Sequence, residues 1–305
     1  MISVLGLLFT SLLLGMAARR SGRFPEQTAP VLNTYVINVA LPALVLRSVH
    51  GLTLVPELLL TAAVPWLIFG AAWLLFRGVG PRLGLESGTV AALVLTAGLG
   101  NTSFVGLPLI EGLRGPEGVR VAVVIDQLGS FMALATVATV FAARQAATDM
   151  SHAALWKKLV GFMPLVALCV ALLTHPWSWP DWVDSVLARL GATLTPLTLF
   201  SVGYQLRFSG LRGRWRALVL GLGYKLVLAP VGIALLLLAL PMLSLPRLDR
   251  LSFEVAVLQA GMAPMVTGAI LAADHGLDPE LSTLMVGVGI PLSLLTVPAA
   301  LWLMG

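Results

Sequence analysis

Three adjacent polar residues, Asn101, Thr102 and Ser103, interrupt an apolar segment at residues 98–108 (GLGNTSFVGLP). A helix broken inside a membrane leaves backbone N–H and C=O groups unpaired, and each costs several kcal/mol unless protein or water satisfies it. The helix that begins after the break offers free N–H groups, which suit an anion, and the helix that ends before it offers carbonyls, which suit a cation. Because three adjacent polar side chains cannot share one helix face, the stretch predicts an ion-binding point rather than a simple kink.

A second apolar segment is interrupted in a similar way at residues 258–269 (LQAGMAPMVTGA). The two segments end in related sequences, LRGPEG at 113–118 and GLDPEL at 276–281, and this spacing makes Pro264 the counterpart of Asn101. Two helices broken at the same depth can meet near the membrane midplane. We therefore expect both interruptions to contribute to one substrate cavity, as discontinuous helices do in secondary transporters.

Charged residues inside apolar segments indicate function, because a membrane interior disfavours charge. Asp126 lies within a segment beside Gln127 and Ser130, and this polar face predicts an H⁺ or Na⁺ coupling site. The alternative is a structural ion pair between Asp126 and Lys225, about ten residues into its own segment. Lys225 could instead attract an anionic substrate, and the sequence does not decide between these roles.

Other polar residues complete the predicted binding region. Gln259 precedes the second interruption and either reaches the cavity or forms an interhelical hydrogen bond. Tyr35 and Asn38 in the second segment either face the cavity or stabilise helix packing. Glu254 lies near a segment end, where we expect it to reach the membrane interface.

The elements that position these residues are apolar helices. The chain has 305 residues, of which 58% are hydrophobic and 11% charged, and its mean hydropathy of +0.95 excludes an ordinary soluble domain. About ten segments approach the roughly 20 residues that a membrane span requires. These segments begin near Ile2, Val31, Leu58, Thr89, Val119, Leu159, Val186, Ala217, Phe253 and Leu281. The sequence thus predicts an all-α polytopic membrane protein.

The basic residues predict orientation rather than nucleic-acid binding, although the net charge is +5. If the N-terminus is outside, loops after segments 1, 3, 5 and 7 hold twelve Lys and Arg residues, whereas outer loops hold five. The positive-inside rule then places both termini outside the cytoplasmic membrane. The loop after segment 9, at residues 274–280, is acidic and does not follow this pattern.

The chain divides into two similar halves. Residues 1–142 form the first predicted five-helix repeat, residues 143–157 a short cytoplasmic linker, and residues 158–305 the second repeat. Since each half has an odd number of spans, the second half enters the membrane in the opposite orientation. The sequence therefore predicts a 5+5 inverted repeat, with spans 4 and 9 broken and crossing near the midplane.

Three sequences resemble the auxin efflux carrier family, which includes plant auxin carriers and bacterial organic-acid permeases. They are NVALPALVL in span 2, GNTSFVGLPLIEGLRGPEG in span 4 and AGMAPMVTGAILAADHGLDPE in span 9. The resemblance implies a scaffold of spans 1, 2, 6 and 7, and a transport domain of spans 3–5 and 8–10. It also implies elevator-type alternating access and a homodimer formed through the scaffold.

The sequence and the resemblance together predict secondary active transport of a small organic anion, a mono- or dicarboxylate such as auxin, malate or malonate. H⁺ or Na⁺ coupling is expected, with Na⁺ at the crossover as one option and no other cofactor. The predicted substrate-binding residues are Asn101, Thr102, Ser103, Gln259, Met262, Pro264, Lys225, Tyr35 and Asn38.

Other classes of function agree less well with these residues. Broken helices also build the filters of channels, so a passive anion channel or uniporter is the main alternative, ahead of a membrane sensor. An enzyme is not expected, because the four histidines fall outside the spans and Asp126 has no second carboxylate at its depth. The histidines also lack the spacing of metal ligands, so no metal site other than the Na⁺ option is predicted.

Overall fold

The computed structural model describes residues 2–50, 56–146, 161, 163–205, 213–243 and 245–304, which are almost entirely helical. Numbered in chain order, the α-helices are α1 (Ile2–Ser21), α2 (Thr28–Tyr35), α3 (Leu41–Val49), α4 (Pro56–Ala62), α5 (Val64–Val79), α6 (Ser87–Gly98), α7 (Leu107–Val124), α8 (Thr139–Gln145), α9 (Met163–Leu173), α10 (Asp181–Ala192), α11 (Leu194–Gln205), α12 (Trp215–Gly223), α13 (Ala229–Ala239), α14 (Arg250–Ala260), α15 (Val266–Asp274) and α16 (Pro279–Met304).

Wider π-helical turns connect several of these helices. In the described part of the chain they are Val36–Ala40, Thr102–Gly106, Ile125–Phe131, Leu134–Ala138 and Tyr224–Leu228, and the 3₁₀ turns are Pro81–Leu83 and Leu240–Leu243. Single π-helical turns within α-helices often occur at functional sites. Thr102, Asp126 and Lys225 each lie in one of them.

Six helical stretches among the described residues are long and apolar enough to cross a membrane. They are Thr28–Val49, Leu58–Val79, Thr102–Gln145, Asp181–Gln205, Trp215–Met242 and Pro279–Met304. The helices Ser87–Gly98 and Met163–Leu173 are apolar but shorter. The protein is therefore a polytopic helical membrane protein, and the number of ten spans stays a prediction.

The longest of these stretches is interrupted at Gly115. Its φ of 65° and ψ of −167° are non-helical, and glycine adopts a positive φ more readily than other residues. Pro116 follows and has no N–H group with which to continue the helical hydrogen bonding. The stretch therefore consists of two successive helical segments, of which the second begins after Gly115.

The chain folds into two compact units. The first unit comprises Met1–Leu54, Ser103–Val123 and Trp156–Leu206, and the second comprises Val55–Thr102, Val124–Leu155 and Arg207–Gly305.

In the first unit, α1 and α11 pack at two glycines. A Cβ atom at Gly15 would lie 2.1 Å from the carbonyl oxygen of Phe200, and one at Gly203 would lie 2.0 Å from that of Leu12. The two backbones are therefore in direct contact, as small residues permit at helix interfaces in membranes. Near the end of α1, the Arg19 guanidinium donates a hydrogen bond to the Tyr204 carbonyl at 3.0 Å.

In the second unit, hydrogen bonds to backbone carbonyls fix the π-helical segments that carry Asp126 and Lys225. The Trp66 indole N–H donates to the carbonyl of Leu128 at 3.1 Å, within Ile125–Phe131. The Tyr224 hydroxyl, next to Lys225, donates to the carbonyl of Ile68 at 2.6 Å. Both contacts anchor these segments to α5.

A buried carboxylate, Asp278, links α6, the first turn of α16 and the residue that precedes α12 in the second unit. It forms an ion pair with Arg214 and accepts a hydrogen bond from Thr89 Oγ1 at 2.6 Å. It also accepts a hydrogen bond from the backbone N–H of Leu281 at 3.2 Å, in the first turn of α16. The acidic loop that departed from the positive-inside pattern therefore holds a carboxylate neutralised by an arginine.

We expect Asp278→Asn to lower the stability of the protein by about 2 kcal/mol. The expected loss of stability is smaller than that for a fully buried ion pair and larger than that for a surface pair, because Asp278 is buried but Arg214 is partly exposed. Thermal unfolding in detergent measures the change. Asp274→Asn, which changes an exposed carboxylate at the end of α15, is the matched control and should leave the apparent Tm unchanged. Equal Tm values for the two variants would contradict a stabilising role for Asp278.

Candidate functional site

The two interruptions predicted from the sequence pair with each other in the second unit. α6 and α14 end before residues 99–101 and 261–265 respectively, and a new helix begins after each gap. Between these gaps, Gly100 and Pro264 form an isolated antiparallel β-bridge. We call residues 99–101 and 261–265 the paired interruption.

Backbone hydrogen bonds hold the paired interruption together. The N–H of Asn101 donates to the carbonyl of Ala263 at 2.7 Å, and the N–H of Met265 donates to the carbonyl of Leu99 at 3.1 Å. Each broken helix thus satisfies backbone groups that the other would leave without a partner.

Gly100 makes room for a lysine side chain at the paired interruption. A Cβ atom at Gly100 would lie 3.0 Å from Lys225 Nζ and 3.5 Å from the carbonyl oxygen of Gln259. Only a residue without a side chain allows this approach without displacing its neighbours. The close contact places a primary amine directly against the interrupted backbone.

Lys225 is the buried cation of this region, with 1% of its surface exposed. Its ammonium donates to the carbonyl of Ala260 at 2.9 Å, at the C-terminal end of α14, where the helix dipole favours positive charge. No carboxylate lies within 4.0 Å of this ammonium in the part of the chain that the structure describes. Lys225 therefore forms no ion pair with Asp126. Its ammonium has three N–H donors, and one of them bonds to a described residue, at the Ala260 carbonyl.

Asp126 is buried in a polar network next to the first interruption. Its carboxylate accepts a hydrogen bond from Thr102 Oγ1 at 2.5 Å and another from Gln127 Nε2 at 2.7 Å. The backbone carbonyl of Thr102 in turn accepts a hydrogen bond from Gln259 Nε2 at 3.3 Å. The network connects the predicted coupling residue to both broken helices.

Several buried polar atoms of this network and of the π-helical segment that carries Asp126 have no hydrogen-bond partner among the described residues. They are Gln127 Oε1, Ser130 Oγ and Gln259 Oε1, and all three residues are buried. Because buried polar atoms are usually paired, these atoms are candidates to contact a substrate or a coupling ion. Met262 is fully buried within the paired interruption.

The structure gathers most, though not all, of the predicted site residues into the second unit. Asn101, Thr102, Gln259, Met262, Pro264, Lys225, Asp126, Gln127 and Ser130 all belong to it. Ser103, Tyr35 and Asn38 belong to the first unit. There, Asn38 is exposed and donates to the Thr34 carbonyl at 2.8 Å, and the Tyr35 hydroxyl accepts a 3.4 Å hydrogen bond from Thr193.

The positions of Gly289 and Glu254 in the fold were not predicted from the sequence. A Cβ atom at Gly289 would lie 2.5 Å from Pro264 Cδ, so α16 packs closely against the second interruption. No local signal separated Gly289 from other glycines of apolar helices. Glu254 does not reach an exposed interface as expected, because it is 4% exposed and pairs with Arg250 at 2.8 Å.

Comparisons with known proteins extend over nearly the whole chain. A family model described as membrane transport protein matches residues 1–160 and 150–302. An uncharacterized transporter of Methanothermobacter thermautotrophicus is 28% identical over 298 residues, which covers 95% of this chain and 93% of the relative. An uncharacterized transporter of Methanocaldococcus jannaschii is 24% identical over 303 residues, with coverages of 95% and 94%.

Proposed function

Because the chain belongs to the membrane transport protein family, which includes the auxin efflux carriers, we propose that it is a secondary active transporter of a small organic anion. The observation that carries this proposal is the buried Lys225 ammonium, which lies against the paired interruption with no carboxylate of the described residues beside it. A buried cation in a membrane protein usually marks the path of an ion or substrate.

The substrate is a mono- or dicarboxylate in this proposal. α15 begins at Val266 directly after the paired interruption, and the side chain of its N-cap residue, Met265, makes no capping hydrogen bond. Its first N–H groups and the positive end of its dipole favour a carboxylate, and a protonated Lys225 would add positive charge beside it. Asn101 and Met262 lie in the paired interruption, Thr102 follows it, and Gln259 donates a hydrogen bond to the Thr102 carbonyl, so we retain all four as substrate-binding residues. Ser103, Tyr35 and Asn38, which were also predicted to bind substrate, belong to the first unit.

The coupling ion is H⁺ in this proposal, with Asp126 as its binding group. Na⁺ would bind best at the carbonyl end of a broken helix, and the ammonium of Lys225 already occupies one of the two such ends, at Ala260. Asp126 is a buried carboxylate whose hydrogen bonds reach Thr102 beside the interruption. A proton on Asp126 would therefore alter the contacts of the broken helix.

The architecture that we propose is a ten-span 5+5 inverted repeat with elevator-type movement, in the cytoplasmic membrane with both termini outside. The second unit holds the paired interruption together with the regions of spans 3, 8 and 10, which supports a moving domain, whereas residues 103–123 of the predicted spans 4 and 5 group with the first unit. The regions of spans 1, 2, 6 and 7 fall in the first unit, where we place the scaffold and the homodimer contact.

Thermal-shift screening of the purified protein, followed by uptake into liposomes, tests this proposal. We expect at least one mono- or dicarboxylate to raise the apparent Tm and to accumulate inside liposomes when an inward H⁺ gradient is imposed. Replacing Na⁺ by K⁺ should leave this accumulation unchanged. No uptake of any carboxylate under either gradient would contradict anion transport, and uptake that requires Na⁺ would contradict proton coupling alone.

A further inference from the structure

An open groove of about 670 Å³ lies in the second unit between α5 and α8. Aromatic side chains of α5 line it at helical spacing, Trp66, Phe69 and Trp73, and Phe141 faces them from α8. The rings of Phe69 and Phe141 meet edge to face with centroids 6.2 Å apart. This wall is apolar and partly exposed, since 39% of the Trp73 surface is accessible.

Both walls of the groove end in an arginine. Arg77 lies one helical turn beyond Trp73 on α5, and Arg144 lies near the end of α8 beyond Phe141. The Arg77 guanidinium stacks on the Trp73 ring, 5.6 Å from its centroid. Within the described residues neither arginine has a carboxylate within 4.0 Å, in contrast to Arg214, which pairs with Asp278.

A second groove of about 480 Å³ adjoins the first along α6. It shares Trp73, Arg77 and Phe141 with the first groove and continues past Val90 and Val94. Trp73 and Arg77 therefore line both grooves, and the two grooves share the positive charge of Arg77 at one end.

We infer that this pair of grooves binds one anionic glycerophospholipid. The guanidinium groups of Arg77 and Arg144 match a phosphate headgroup, because arginine forms paired, charge-assisted hydrogen bonds with phosphate oxygens. Each groove takes one acyl chain, which makes van der Waals contacts along the aromatic and aliphatic wall. Basic pockets between membrane helices on the cytoplasmic side suit anionic lipids, and the charge pattern of the sequence places both arginines on that side.

The geometry favours a lipid over a small carboxylate as the occupant. The grooves are open and line exposed helix surfaces, which meet acyl chains in a membrane protein. A small substrate would leave most of this apolar surface uncovered. The lipid site is also separate in its residues from the paired interruption, so it does not depend on the proposed transport function.

Lipid binding to the delipidated, detergent-purified full chain tests the inference. We expect phosphatidylglycerol to raise the apparent Tm and to remain bound in native mass spectra, whereas phosphatidylcholine with the same acyl chains should do neither. The double variant Arg77→Gln/Arg144→Gln should bind phosphatidylglycerol roughly tenfold more weakly or worse, since each basic residue near a membrane surface contributes to attraction of anionic lipid.

Arg216→Gln is the matched control, because Arg216 also stacks on a tryptophan, Trp215, at 5.5 Å but does not line either groove. Arg216→Gln should bind phosphatidylglycerol like the parent. Arg77→Lys/Arg144→Lys keeps both positive charges and should keep most of the binding, so a loss of binding in the double glutamine variant can be assigned to lost charge rather than to misfolding. Equal binding of both lipids, or equal loss in Arg216→Gln, would overturn the inference. Displacement of the lipid by short-chain carboxylates would instead identify the grooves as a substrate site and would also overturn it.

Discussion

Lys225→Met is expected to reduce carboxylate uptake by about 100-fold while leaving the protein folded. Truncating one partner of a buried, hydrogen-bonded charge pair costs about 2–5 kcal/mol of binding, and about 2.8 kcal/mol corresponds to 100-fold. Without substrate, however, the Lys225 ammonium is buried and has no carboxylate neighbour among the described residues. Methionine is flexible, apolar and of similar length, so it removes the desolvation cost of the charge.

The variant should therefore have an apparent Tm equal to or above that of the parent in the absence of substrate. Loss of the hydrogen bond to Ala260 opposes this gain by about 1 kcal/mol. The control is Tyr224→Phe in the same π-helical segment, which removes the hydrogen bond to the Ile68 carbonyl but keeps the ammonium. Tyr224→Phe should lower the Tm and retain uptake. Parent-like uptake by Lys225→Met would show that the lysine serves only to cap α14.

Asp126→Asn is expected to abolish gradient-driven accumulation while preserving exchange of substrate across the membrane. Asparagine is close in shape to aspartate and can accept the hydrogen bond of either Thr102 or Gln127, but it cannot take up and release a proton. Accumulation should fall at least about tenfold, because an uncoupled carrier only equilibrates its substrate. Uptake under an imposed pH gradient and exchange at equal pH measure the two activities separately.

Asp184→Asn is the matched control for this variant. Asp184 is exposed and forms a surface ion pair with Arg47 at 3.0 Å, which contributes little to stability. It should behave like the parent in both assays. If Asp126→Asn accumulated substrate as the parent does, the proton would have to be carried by another group.

The sequence was most informative where the backbone departs from a helix. Glycine, proline and adjacent polar residues are poor components of an apolar helix, so residues 98–108 and 258–269 stood out without any tertiary information. The structure interrupts both segments and pairs them at Gly100 and Pro264. Repeat spacing had suggested Asn101 as the counterpart of Pro264, one residue away from the observed pairing.

The roles of individual side chains were harder to predict, because they depend on contacts between distant segments. Lys225 could have paired with Asp126 or faced a substrate, and only the fold shows its ammonium at the Ala260 carbonyl. The space for that ammonium exists because Gly100 has no side chain. From the sequence alone, this glycine could equally be present only to interrupt the helix. Glu254 was misplaced because a position near the end of a segment does not reveal what covers it in the fold.

Counterflow of the carboxylate found by the thermal-shift screen tests the central claim most directly. Liposomes containing the parent protein are loaded with excess unlabelled substrate and diluted into trace labelled substrate at equal pH and ion concentrations. The proposed carrier predicts transient accumulation of label above its external concentration, which saturates with substrate and is lost in Lys225→Met. Label that only equilibrates, at a rate that does not saturate, would indicate a channel and would contradict a carrier built on the paired interruption.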